Sequence, residues 1–147
     1  MMFAVLPFLG LLVVAYAVVA FMGPGMFSDY TGMSEFLNAT AFSITNLPSA
    51  PPDNPWLITT GDIFVTVGLV LLALEVLKAT NTNKLSLGNH GLSALVFVIA
   101  ILLFLMVPNF GTTTFFLITV MALFDVVVGM MTTIITARRD IGVPGMT

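Results

Sequence analysis

Cysteine is absent from this 147-residue chain, which removes disulfides, thiolate-bound metals, iron–sulfur clusters and cysteine nucleophiles from consideration. Histidine occurs once, as His90, so a metal or haem site built from several histidines of one chain is excluded too. Charge is scarce. Only 7% of the residues are Asp, Glu, Lys or Arg, against about 25% in an ordinary soluble domain. The four cations form no run long enough to serve as a footprint for nucleic acid. Hydrophobic residues make up 59% of the chain, and a surface drawn from such a composition is insoluble unless most of it faces hydrocarbon. The expectation is an all-α membrane protein, one domain over residues 1–147, in certain contact with lipid.

Four apolar runs are long enough to matter. The first, residues 3–22, would span a hydrocarbon core of roughly 30 Å at about 1.5 Å per residue. It stops at Gly23-Pro24-Gly25, which cannot continue a helix, and Pro7 falls in its tolerant first turn. A cleaved signal peptide is the rival reading, since Ala15-Tyr16-Ala17 has the small-x-small form of a cleavage site, but the run is long and its positively charged start is missing. The second run, residues 62–79, follows Thr59-Thr60-Gly61, where a threonine can cap the helix and Asp62 suits the positive end of its dipole. The third, residues 91–107, follows Asn89-His90 and ends at Pro108-Asn109. The fourth, residues 113–137, is the longest, so tilt or a protruding end is expected. Short connections predict that the second, third and fourth helices are antiparallel neighbours.

The charges orient the chain. Lys78, Lys84, Arg138 and Arg139 fall around the second connection or after the fourth helix, which is one side of a four-span protein, and cations mark the cytoplasmic side. Both termini are therefore expected in the cytoplasm, and Asp29, Glu35 and Asp53 lie in the opposite, outer loop of residues 23–59. In that loop Met33, Phe36, Leu37, Ala41 and Ile44 recur at helical spacing, which predicts a short interfacial helix over 34–44; a loop folded over the helix ends is the alternative. Pro51-Pro52-Asp53-Asn54-Pro55 reads as a stiff strap, with Trp56 at headgroup height. Asn38-Ala39-Thr40 matches a glycosylation sequon, a pattern short enough to arise by chance.

Three motifs, Glu75-Val76-Leu77-Lys78-Ala79-Thr80, Pro108-Asn109-Phe110-Gly111-Thr112-Thr113-Thr114-Phe115-Phe116 and Thr136-Ala137-Arg138-Arg139-Asp140, are helix caps and charged interface anchors. Through them residues 61–140 resemble small four-span inner-membrane proteins of proteobacteria to which no activity is assigned. The resemblance implies a bacterial inner-membrane location and carries over no functional residue.

Asp125 is the most informative polar residue, near the middle of the fourth span, where a charge costs about 2.5–3.5 kcal/mol on insertion scales. It must face protein or water, or be protonated, and we expect it to face another helix uncharged. Tyr16 and Thr66 are its best partners within the chain. Ala122, Gly129, Thr132, Thr133 and Thr136 share its face, a small and polar stripe on which another helix can pack closely. The structural reading is a hydrogen-bonded lock; the functional one is a proton or ion relay in which Asp62, Asp125 and Glu75 stand at outer, middle and inner levels. Glu75 also lies three residues before Lys78, close enough to pair and snorkel with it, and Asp62 is accounted for as a residue of the helix start. His90 reads as a polar interface residue.

Three functions are weighed. A non-catalytic accessory, assembly or stabilising subunit of a larger membrane complex fits the missing catalytic constellation and the packing stripe. A small oligomeric channel or proton-coupled carrier rests on the three carboxylates alone. An intramembrane enzyme would need a nucleophile, base and orienting group assembled from Ser, Thr and carboxylates. No cofactor is predicted; contact with a pigment or quinone is left open by the 13 phenylalanines and 10 methionines.

Overall fold

The computed structural model describes residues 7–26, 29–45, 47–49, 55–79 and 86–141, with only the backbone described at 79, 86–90 and 136–141. The expected start of the first span at 3–6, the strap at 51–54 and Lys84 lie outside the described residues. So do the side chains of His90, Thr136, Arg138 and Arg139.

The chain is mostly helical. α1 covers Phe8–Met22, with Pro7 as an extended N-cap rather than a first-turn residue, and Gly10 donates its N–H to the Pro7 carbonyl. It ends at Gly23, whose φ of 82° suits glycine, and a 3-10 turn over Pro24–Met26 follows. α2 is Met33–Asn38, α3 Thr60–Ala79, α4 Ser86–Met106 and α5 Thr113–Ile141. Thr60–Lys78 and Thr113–Ile135 are long and apolar enough to cross a membrane; Phe8–Met22 and Gly91–Met106 are shorter apolar helices.

Two expectations need correction. The helix foreseen over 34–44 stops at Asn38, and β1, Thr40–Ile44, pairs antiparallel with β2, Trp56–Thr59. Aromatic and β-branched residues favour the pleated strand, and the partner strand satisfies backbone groups that a longer helix would have paired within itself. The described fold is therefore mostly helical with one short two-stranded hairpin. Leu37 is buried, while Phe36 and Ile44 are half-buried.

The neighbour relations also differ. α5 lies against α4, α3 and α1, and α1 lies against α3 and α4, so α3 and α4 occupy opposite corners instead of packing side by side. α1 enters between them, with Gly10 close to Val96 of α4. α3 and α5 run parallel and in step: Gly61 meets Thr114 and Gly68 meets Met121.

The core is drawn from Leu9, Leu12, Val13 and Tyr16 of α1, Ala100 of α4, and Phe115, Ile118 and Met121 of α5, closed at one end by Phe110. Large apolar side chains also cover the outside. Leu69, Val70, Leu74 and Leu77 of α3, Leu95, Leu102 and Leu105 of α4, and Phe124, Met130, Ile134 and Ile135 of α5 are all exposed. Soluble monomers rarely expose contiguous apolar patches beyond a few hundred Å².

Candidate functional site

Polar groups gather at the two ends of the bundle and at one level within it. At the α3 C-terminal end, Glu75 is 1% exposed. Its Oε2 accepts the backbone N–H of Phe8 at 2.9 Å, and its Oε1 lies 2.8 Å from Lys78 Nζ. Phe8 is the first residue of α1, whose N-cap supplies no side-chain hydrogen bond, so a carboxylate 67 residues distant takes that role. Lys78 Nζ also sits 4.5 Å from the centre of the Phe8 ring. The expected Glu75–Lys78 pair is present, with the start of α1 as its third member.

The opposite end is tied by Asn109, held in the left-handed region at φ 70°. Its side-chain amide donates to the Ala20 carbonyl at 3.3 Å, satisfying one of the last acceptors of α1. The Tyr16 hydroxyl donates to the Asn109 carbonyl at 3.2 Å and lies 2.6 Å from Thr112 Oγ1, which accepts the Phe115 N–H at 3.2 Å as α5 begins. Tyr16 is completely buried, its ring against Phe64, Phe110 and Phe115. Its hydroxyl thus belongs to the turn between α4 and α5, not to Asp125. Thr66, the other expected partner, is exposed on α3.

Asp62 closes a capping box. Thr59 Oγ1 accepts the Asp62 N–H at 3.1 Å while Asp62 Oδ2 accepts the Thr59 N–H at 2.9 Å and the Thr59 hydroxyl at 2.8 Å. The Thr60 N–H then reaches the Ala39 carbonyl at 3.0 Å, fixing α3 to the end of α2.

Asp125 is 5% exposed, on the face of α5 that also buries Ala122, Val126 and Gly129. It lies 12 residues beyond Thr113, about 18 Å along the axis, and Glu75 lies 15 beyond Thr60, about 22 Å. Because α3 and α5 start level, the two carboxylates differ in height by only about 5 Å. Ser93, 13 residues before Met106, falls at about the same level; it is 2% exposed and its Oγ has no partner among the described residues. Between Asp62 and this level the buried side chains include Leu12, Ile118, Met121, Ala122 and Thr119, whose hydroxyl donates to the Phe115 carbonyl at 2.9 Å, and no buried carboxylate among the described residues. The three levels expected for Asp62, Asp125 and Glu75 are in effect two, separated by a layer without a carboxylate among the described residues.

No protein-family model, curated protein or solved structure matches this chain.

Of the expected packing face, Ala122 and Gly129 are buried inside the chain's own bundle, and the half-buried Thr132 and Thr133 each donate a hydroxyl to the Gly129 carbonyl at 2.9 Å. Sequence reasoning missed Asn109 and Ser93. For Asn109 there was a signal: asparagine tolerates the left-handed region, and it stands after a proline in a connection too short for other turns. A lone serine in an apolar run gives no such signal.

Proposed function

We propose that this chain is a non-catalytic integral membrane protein with four spans, α1, α3, α4 and α5, whose two ends face the cytoplasm of a bacterial cell. Its role is that of an accessory, assembly or stabilising subunit of a larger inner-membrane complex. One observation carries this reading: the polar contacts of the bundle join helix to helix, Glu75 to the start of α1 and Asn109 to its end, while the outward faces are apolar and long. Groups spent in this way hold a scaffold and do no chemistry. The placement of all four cations supports the orientation. Extraction in mild detergent followed by native electrophoresis tests it: the chain should migrate within an assembly several times its own mass of 15.7 kDa. Migration alone or as a bare homo-oligomer contradicts the subunit role.

A second reading, the oligomeric channel or proton-coupled carrier, is favoured by the burial of Glu75, Asp125 and Ser93 at one level. Flux into proteoliposomes that vanishes on Asp125→Asn supports it over the first.

A further inference from the structure

β2 runs directly into α3, so the hairpin stands against the first turns of that helix and leaves a groove of about 500 Å³. Phe42, Trp56, Ile58 and Ile63 give it apolar walls, and Asp62 and Thr66 are the polar groups on its lining. We propose that this groove holds a phospholipid with a primary ammonium head, phosphatidylethanolamine, with the ammonium at Asp62 and Thr66, Trp56 beside the headgroup and the acyl chain against the apolar wall that Ile63 and Val67 continue along α3. The proposal rests on the membrane reading above.

Charge and hydrogen-bond chemistry select this lipid. Asp62 uses Oδ2 in the capping box, and its Oδ1 has no partner among the described residues. Thr66 follows it by four residues, hence on the same helix face, and its exposed hydroxyl is likewise unpartnered among those residues. Two acceptors at one helical turn suit a group carrying several N–H donors. A primary ammonium has three, whereas the quaternary ammonium of phosphatidylcholine has none. An anionic head is opposed by Asp62, and the sequence supplies no Lys or Arg before Lys78 to offset that charge. The levels agree as well: Asp62 lies in the first turn of α3, and Trp56, half exposed just before it, is a side chain that favours the headgroup region. Apolar walls deeper along α3 then meet the acyl chain.

Trp56 is the chain's single tryptophan, which makes the groove its own reporter. The protein is reconstituted in liposomes containing phosphatidylethanolamine, phosphatidylcholine and phosphatidylglycerol, each in turn carrying brominated acyl chains at equal mole fraction. The expected result is that brominated phosphatidylethanolamine associates with Trp56 about twofold to fivefold better than the other two, the range of a partly exposed ion pair. Asp62→Asn, which keeps an oxygen for Thr59, and Thr66→Val should each reduce this preference while circular dichroism stays unchanged. Equal quenching by all three lipids, a preference for phosphatidylglycerol, or a preference that survives both substitutions overturns the lipid site and leaves the membrane reading standing. Absence of quenching by every brominated lipid overturns both.

Discussion

Glu75 offers the sharpest test of the idea that carboxylates here tie helices together. Its two oxygens do different work, one receiving the Phe8 N–H at 2.9 Å and the other pairing with Lys78 at 2.8 Å. Glu75→Gln keeps an acceptor for Phe8 and removes the charge. Breaking a fully buried pair costs about 3–5 kcal/mol because the surviving charge is stranded. Lys78 is 20% exposed, however, and its long stem lets the ammonium turn to water, so the loss should be nearer 1–2 kcal/mol. Glu75→Ala also orphans the first N–H of α1 and empties a site that is 1% exposed, which raises the expected loss to about 3–4 kcal/mol. Lys78→Met should cost more than Glu75→Gln, since the charge left behind is the buried one.

The assay is reversible unfolding of the detergent-solubilised protein by increasing SDS mole fraction, followed by circular dichroism, for the three single variants and Glu75→Gln/Lys78→Met. A coupling of about 1–2 kcal/mol is expected from the cycle. Equal losses for Gln and Ala would show that the cap on α1 contributes nothing, and a coupling below about 0.3 kcal/mol would show the same of the ion pair. Either result refutes the reasoning.

Four further outcomes are expected. With no native cysteine to interfere, Asp53→Cys should react with an impermeant maleimide in intact spheroplasts and Lys84→Cys should not; labelling at 84 overturns the orientation. Asp125→Asn should preserve abundance and Asp125→Leu should cost about 1–2 kcal/mol, whereas an infrared signature of an ionised Asp125 at neutral pH contradicts our account of that residue. Asn109→Ala should destabilise more than Asn109→Gly by about 1–2 kcal/mol, because both lose the bond to Ala20 but only glycine accepts φ 70° without strain; equal melting temperatures would contradict this. Gly61→Ala should cost about 1–3 kcal/mol in the same SDS titration, since a Cβ there would stand 2.7 Å from Thr114 Oγ1 and 3.1 Å from the Leu37 carbonyl; unchanged stability would contradict the packing.

The helices were legible because their apolar runs are long, two of them long enough to cross a membrane, and their ends carry local punctuation. Thr59 and Asp62 form the box that their spacing suggests, Gly23 stops α1, and Pro108-Asn109 turns the chain. What stayed hidden is long-range. The Ala41 and Ile44 spacing is that of a helix, and only the distant partner Trp56–Thr59 draws the segment into a strand instead. That Glu75 caps α1 follows from no local pattern, because donor and acceptor are 67 residues apart. Neighbour order was equally unreadable. In water an apolar stripe points inward and names the buried face, but here the outward side chains of α3, α4 and α5 are as apolar as the inward ones.

Small residues gave a partial substitute for that lost signal. The stripe on α5 suggested a face on which another helix packs closely, and Ala122 and Gly129 are buried within the chain's own bundle. Close approaches also use α3, where Gly61, Gly68 and Glu75 recur every seven residues along the buried side. Gly61 admits the Leu37 carbonyl and Thr114, and Gly68 admits Leu12 and Met121. One heptad further, the same line reaches the start of α1, and there a carboxylate replaces the glycine. Close backbone contact gives way to a side chain long enough to reach the Phe8 N–H. A single stripe of α3 therefore meets α2, α1 and α5, which leaves its opposite face, with Leu69, Val70, Leu74 and Leu77 exposed, as the apolar surface this helix turns outward.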